Sequence, residues 1–303
     1  MKDVILKTND LTKKYKDFTA VDHVNITIHK GDIYGLIGRN GAGKTTLMKM
    51  LTTLTEKTSG EFSLFGEEEA LTENKRRIGC LIENPAFFPN LTAYENLYYY
   101  SIQKGIINKK QIEEALRLVD LTNAKNKKFK NFSLGMKQRL GIAFAILDNP
   151  DFIILDEPIN GLDPIGISDL RDTFKKLNEE KDITILISSH ILSELYAVAT
   201  NFCIIEQGKV IKELTKEELD NECSRCIVIK TEEVKKATTV LEKELHTTEY
   251  KVVSKNEIRL YDYLDHAEKV NKKLAKNDIN LSALYETGIT LEEYFKNVIK
   301  EEY

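Results

Sequence analysis

No tryptophan occurs among the 303 residues, and proline appears only five times and cysteine only four. Four cysteines, Cys80, Cys203, Cys223 and Cys226, are too few and too scattered to staple a secreted framework, so reduced thiols are expected. Cys223 and Cys226 form a C-x-x-C, but no second pair and no nearby histidine completes the ligand set of a zinc site. Long hydrophobic runs are also missing. A membrane-spanning helix needs about 20 consecutive apolar residues, and the longest run here, 141–147, is roughly a third of that. The chain is therefore not expected to cross a bilayer. Its start, Met1-Lys2-Asp3-Val4, soon meets Lys7 and Asn9 and lacks the apolar core of a secretory signal, which points to the cytoplasm. Nor does one charge dominate: 44 Lys and Arg against 48 Asp and Glu leave −4, so no basic field selects nucleic acid as a partner.

What is present is a pattern of alternating elements. At about 150 residues per domain the length suggests two domains, and neither internal repeats nor low-complexity segments interrupt it. Val21, Val24, Ile26 and Ile28 follow a two-residue period, which predicts a half-buried strand at an antiparallel edge. A short buried strand over 33–37, a glycine-rich turn and a helix over 45–54 come next, followed by an apolar segment around Phe62, Leu64 and Phe65 and a strand over 78–82. From about 83 to 150 the period becomes helical, with Ile112, Ala115, Leu116 and Val119 on one face. Strands over 152–155, 184–188 and 201–206 then alternate with a helix carrying Ile167, Leu170, Phe174 and Leu177. Alternation of this kind predicts an α/β core with a mostly parallel sheet. After 214 a charged segment, 215–218, leads to a smaller α+β domain. Its order is strand 225–230, helix 234–245, strands 250–253 and 258–261, helix 264–274, strand 279–284 and a last helix from 291. This resembles a split βαβ, ferredoxin-like unit.

Three groups of residues carry chemistry. Gly38-Arg39-Asn40-Gly41-Ala42-Gly43-Lys44-Thr45 fits G-x-x-x-x-G-K-[ST] between a predicted strand and a predicted helix, with Thr46 following. Its glycines let backbone N–H groups approach phosphate oxygens, Lys44 reaches the β- and γ-phosphates, and the Thr45 hydroxyl is a ligand for Mg²⁺. Asp156 and Glu157 leave the end of the strand over 152–155, where ligands bind in such sheets. Asp156 is expected to hold Mg²⁺, and Glu157 to face the attacking water as base or orienter. His190 closes the run Ser188-Ser189-His190 at the end of another predicted strand, in position for the γ-phosphate.

Just before the acidic pair, Phe132-Ser133-Leu134-Gly135-Met136 resembles the Leu-Ser-Gly-Gly-Gln signature of ATP-binding cassette (ABC) ATPases, keeping the serine and the second glycine. Asn160-Gly161-Leu162-Asp163 resembles the D-loop of that family, His190 its switch histidine and Tyr15 the upstream aromatic that stacks on adenine. The resemblance implies a P-loop ABC nucleotide-binding domain over 1–214, with a helical subdomain over about 83–150 and an accessory domain over 215–303. ATP and Mg²⁺ are the implied cofactors. Two copies are then expected to pair head to tail, each ATP lying between one copy's phosphate loop and the other's Ser133, Gly135 and Asp163.

The position where the family usually has glutamine holds Glu83, in Ile82-Glu83-Asn84-Pro85, and a carboxylate there is a further candidate ligand for Mg²⁺. Together with Pro89-Asn90-Leu91-Thr92 and the Ser-Leu-Gly-Met signature, this is similar to ABC subunits of bacterial peptide-antibiotic export and immunity systems, of the bacitracin and lantibiotic kind. That resemblance implies an ATPase subunit at the inner face of the cell membrane, reaching the bilayer only through a separate integral-membrane permease. A lipid or another drug-like compound is the alternative cargo, and a soluble ABC ATPase acting on ribosomes or DNA the alternative class. Of the aromatic residues near Glu83 (Phe87, Phe88, Tyr94, Tyr98, Tyr99 and Tyr100), most are expected in the core and the remainder at the groove that receives the permease.

Overall fold

The computed structural model describes residues 3–68, 74, 76–83, 86–106, 108–264 and 266–302. Asn84 and Pro85, next to Glu83, lie outside the described residues. The chain divides into two compact units, Met1–Lys216 together with Val298–Tyr303, and Glu217–Asn297.

The first unit opens with strands β1 (Val4–Tyr15), β2 (Phe18–Val24), β3 (Thr27–His29) and β4 (Ile33–Ile37), then helix α1 (Lys44–Leu51) and strands β5 (Ser59–Leu64), β6 (Glu67–Glu68) and β7 (Ile78–Leu81). Helices α2 (Ala93–Gln103), α3 (Lys109–Leu118) and α4 (Leu134–Ala145) follow. Next come β8 (Phe152–Leu155), α5 (Pro164–Lys181), β9 (Thr184–Ser189), α6 (Leu192–Tyr196), β10 (Asn201–Glu206) and β11 (Lys209–Thr215). Six strands form one sheet in the order β11-β10-β4-β9-β8-β7. It is parallel except for β11, which returns antiparallel beside β10. β4, β8 and β9 are buried along their whole length, as strands covered on both faces must be. β1, β2, β3, β5 and β6 make a second, antiparallel sheet. Leu47, Met48, Met50 and Leu51 of α1 share one core with Leu6, Leu11 and Val24 of that sheet and with Leu36, Ile154 and Ile205 of the other. Burial on both sides fixes α1, and with it the loop that precedes it.

Several elements differ from the sequence reading for identifiable reasons. The alternation through Val21 and Ile28 is split into β2 and β3, because His23 takes a positive φ of 50° and Asn25 turns its side chain to Asp10. The helix expected over 45–54 stops at Leu51: the Thr52 hydroxyl bonds back to the Met48 carbonyl and Thr53 is left-handed. β1 escapes the reading altogether, since bulges and a positive φ at Asp10 break its two-residue period. β11 is a half-exposed edge, and the charged segment at 215–218 holds the end of β11 and the start of helix α7 (Lys216–Cys223), in which only Leu219 is buried. The aromatic cluster is corrected most. Phe87 alone is buried, while Phe88, Tyr98 and Tyr99 are exposed and Tyr94 and Tyr100 lie between. Buried Asn96 pins their loop instead, accepting from the Phe88 N–H and donating to the carbonyls of Phe88, Leu91 and Thr92.

The second unit runs β12 (Cys226–Lys230), α8 (Val234–Glu244), β13 (Tyr250–Ser254), β14 (Glu257–Leu260), α9 (Ala267–Lys276), β15 (Ala283–Thr287) and into α10 (Leu291–Glu302). Its four strands pair antiparallel in the order β13-β14-β12-β15, the order of a split βαβ unit. Ile227, Ile229, Ile258 and Leu260 from the sheet meet Val240, Leu241, Val270 and Leu274 from the helices in its core. The last strand begins at Ala283 rather than 279, because the Ile279 N–H closes α9 on the Leu274 carbonyl and pairing with β12 starts only near Ser282. All four cysteines are free thiols. Among the described residues no helix is long and apolar enough to cross a membrane.

Gly79 lies where α4 meets the sheet, and a Cβ on it would sit 2.0 Å from the Ala145 carbonyl oxygen. Two backbones must separate to admit it. Gly79→Ala is expected to destabilise the first unit by about 1–3 kcal/mol and to lower its unfolding midpoint by several degrees in a calorimetric scan. An unchanged midpoint would mean that α4 moves freely against β7.

Candidate active site

β4 delivers the chain to the edge of the parallel sheet, and the loop 38–43 turns it into α1. Two glycines there are steric necessities. At Gly38 a Cβ would lie 2.4 Å from the Ile205 carbonyl oxygen, and Gly43 has φ +104° with the Ala20 carbonyl oxygen 2.3 Å from where its Cβ would be. Gly43 is also the N-cap of α1 and offers no side chain to the first N–H groups of the helix. Those donors and the positive end of the helix dipole are thus left to an anion. Lys44 is almost fully buried, and its ammonium donates to the carbonyls of Gly38 at 2.7 Å and Arg39 at 3.2 Å. Arg39, Asn40 and Gly41 are exposed along the loop, Ala42 is buried, and Thr46 is half-buried in the first turn of the helix.

β9 lies between β4 and β8, so groups leaving the outer two strands meet above its end. Asp156, one residue past β8, accepts the Thr45 hydroxyl at 2.7 Å on one carboxylate oxygen and the Ser188 hydroxyl at 2.7 Å on the other. Ser188 in turn accepts the Glu157 backbone N–H at 2.8 Å. Glu157 has a positive φ of 47°, a conformation that costs a non-glycine residue about 1–3 kcal/mol and that its surroundings must impose. The turn divides its carboxylate between two partners, Lys44 Nζ at 3.1 Å and His190 Nδ1 at 2.9 Å. Lys44, Thr45, Asp156, Glu157 and His190 therefore form one connected cluster at the sheet edge.

The remaining candidates have other partners. Glu83, left-handed at φ 64°, turns its carboxylate to Lys49 of α1 at 2.6 Å, and this bond raises the pKa of the Lys49 ammonium. Tyr15 ends β1 with its ring exposed and the Lys13 ammonium 4.8 Å from the ring centroid. Ser133 caps α4 by accepting the Met136 N–H at 3.3 Å, and Gly135 follows in the first turn. Asp163 caps α5 by accepting the Gly166 N–H at 3.0 Å. Leu162 lies beside Gly135, which brings the D-loop segment against the signature segment.

Ser188 was not among the candidates. Its signal is faint: a strand of six fully buried residues that ends in two serines, where burial of a hydroxyl demands a partner.

The oxygen donors converging at Thr45 and Asp156 suit a hard cation such as Mg²⁺, and the amides and ammonium of the preceding loop suit a triphosphate. The sequence pattern described as ABC transporter matches residues 21–160. The bacitracin transport ATP-binding protein BcrA of Bacillus licheniformis is 43% identical over 297 residues, covering 97% of each chain. The chain belongs to the ABC transporter family. The lantibiotic transport ATP-binding protein SrtF of Streptococcus pyogenes is 46% identical over 209 residues, covering 69% of this chain and 90% of the relative. An ATP-binding cassette solved as a dimer in a post-hydrolysis state, bound to ADP and Pi, superposes with a TM-score of 0.62 at 27% identity, covering 70% of this chain and 99% of its own. This ABC protein is accordingly an ATPase that binds nucleotide through its cassette.

Ser188→Ala should leave an Asp156 oxygen and the Glu157 N–H of the ABC site without their shared hydroxyl. An unmade buried bond of that kind costs about 1–3 kcal/mol. A lowered kcat for ATP together with a lower unfolding midpoint is expected, and normal turnover would remove Ser188 from the site.

Proposed function

We propose that this chain is the ATP-hydrolysing subunit of an exporter for a peptide antibiotic, working through a separate integral-membrane permease at the cytoplasmic face of the membrane. The observation that carries this reading is the 43% identity to a bacitracin transport ATP-binding protein over 97% of both chains, a match that runs through the accessory unit as well as the cassette. Cassette residues 1–214, including a helical part over about 83–150, then do the chemistry. Residues 215–303 form the accessory domain.

In this reading ATP lies on the 38–45 loop with its adenine against Tyr15, in a homodimer whose second copy covers the phosphates with Ser133, Gly135 and Asp163. Thr45 and Asp156 would hold Mg²⁺, with Glu83 a further candidate ligand, and the ion would supply charge neutralisation for the triphosphate. Lys44 exchanges the Glu157 carboxylate for phosphate oxygens when nucleotide arrives. The exchange frees Glu157 to orient the attacking water, while His190 holds its other oxygen. The 3.1 Å contact of Lys44 with Glu157 supports this sequence of events, since a phosphate can replace the carboxylate as the partner of the ammonium.

Glu157→Gln is expected to bind ATP, to lose most of its hydrolysis and to accumulate as a nucleotide-bound dimer on size exclusion. Tagged Glu157→Gln chain purified from its native membranes with Mg-ATP should bring down a polytopic membrane protein in near-equal amount, identifiable by mass spectrometry. Recovery of ribosomal proteins or nucleic acid with no membrane protein would overturn the transporter assignment. Tyr15→Ala should raise the ATP concentration for half-maximal hydrolysis about five-fold or more, from a stacking contribution of about 1–3 kcal/mol. An unchanged value would remove Tyr15 from the site.

A further inference from the structure

The turn between β10 and β11 lies directly against the phosphate loop. The Gly208 N–H donates to the Ala42 carbonyl at 2.9 Å, and the Gly208 carbonyl accepts the Asp22 N–H at 2.8 Å. Gln207 and Gly208 both have positive φ, 48° and 83°, the two-residue turn that suits the twist of a hairpin. Gly38 sits so close to the Ile205 carbonyl that no Cβ fits between them. This packing sets Glu206, the last residue of β10, beside Arg39, the second residue of the loop.

The pairing of the two is incomplete. Glu206 is only 8% exposed, yet its Oε1 lies 3.9 Å from Arg39 Nη1, too far for a hydrogen bond. Its Oε2 is buried and has no hydrogen-bond partner among the described residues. Arg39 itself is more than half exposed at 57%, and its backbone carbonyl is one of the two that hold the Lys44 ammonium. A guanidinium fork fits a carboxylate and a phosphate equally well, and a single long contact to the carboxylate is readily displaced.

We propose that Glu206 is a positioning residue that competes with bound nucleotide for Arg39 and so limits the affinity of the loop for ATP. When Arg39 turns to a phosphate, the buried Glu206 carboxylate loses its only counter-charge among the described residues, and the cost of leaving it unpaired opposes binding. The inference rests on the placement of the triphosphate on the 38–45 loop.

The test is steady-state hydrolysis by the full chain over a range of Mg-ATP concentrations, with Glu206→Gln, Arg39→Ala and the double variant. Glu206→Gln should lower KM by about three- to ten-fold, the scale of one imperfect ion pair, with kcat moving less than KM. Arg39→Ala should raise KM, and adding Glu206→Gln to it should bring no gain. A gain that persists in the Arg39→Ala background would overturn the proposal, because the carboxylate would then act on nucleotide directly. An unchanged or raised KM in Glu206→Gln would also overturn it, leaving Glu206 as part of the turn's packing. Arg39 is exposed enough for Arg39→Ala to fold even where Glu206 variants do not accumulate, and an unchanged KM there defeats the proposal independently. Lys44→Ala, followed by equilibrium binding of a fluorescent ATP analogue, keeps the two readings separate. Wild-type affinity in that variant would displace the nucleotide from the loop itself, whereas lost binding alongside an inert Glu206→Gln would defeat the Glu206 inference alone.

Discussion

The shared carboxylate of Asp156 is the junction on which the site depends. Thr45, Asp156 and Ser188 are more than 30 residues apart from one another, and two hydroxyls of 2.7 Å reach bring all three to one point. Parallel strands make this possible: β4, β9 and β8 end at the same edge, so the residues that follow them share one crevice. Burial of α1 between the two sheets fixes one side of the junction, and the fully buried β9 fixes the other.

Charge around that junction is balanced internally. Lys44 is buried with three acceptors, two carbonyls and the Glu157 carboxylate, so a cation in a low-dielectric pocket is not left unpaired. Farther along the same sheet, buried Tyr34 donates to Glu213, and burial pushes the pKa of both groups upward. Lys49 and Glu83 pair at a more exposed position, joining α1 to the chain that enters the helical segment. Because α1 follows the phosphate loop, that ion pair links the nucleotide end of the cassette to the segment carrying the exposed rings of Phe88, Tyr98 and Tyr99.

The second unit rests on simpler physics. Two amphipathic helices cover one face of a four-stranded antiparallel sheet, and leucine, isoleucine and valine supply nearly all of its core. β13 and β15 are its edges, where Lys251, Ser254, Glu286 and Thr287 stand beside the exposed side chains of Val252, Val253 and Tyr285.

Local patterns in the sequence were sufficient wherever chemistry and period coincide. The glycines and lysine of 38–44, the acidic pair at 156–157 and the strands β8 and β10 are legible because each is a contiguous run whose residue types permit few alternatives. β1 was illegible because bulges erase its period, and α7 because a helix with one buried leucine carries no apolar stripe. Which of the aromatic residues near Glu83 are exposed, Tyr98 and Tyr99 among them, is not legible because aromatic content does not reveal which helix face is covered. Ser188, the division of Glu157 between Lys44 and His190, the Glu83–Lys49 pair and the unmet oxygen of Glu206 were decided only by tertiary structure. Each depends on segments more than 30 residues apart. Their meeting follows from strand order and backbone direction at the sheet edge, which no local period encodes.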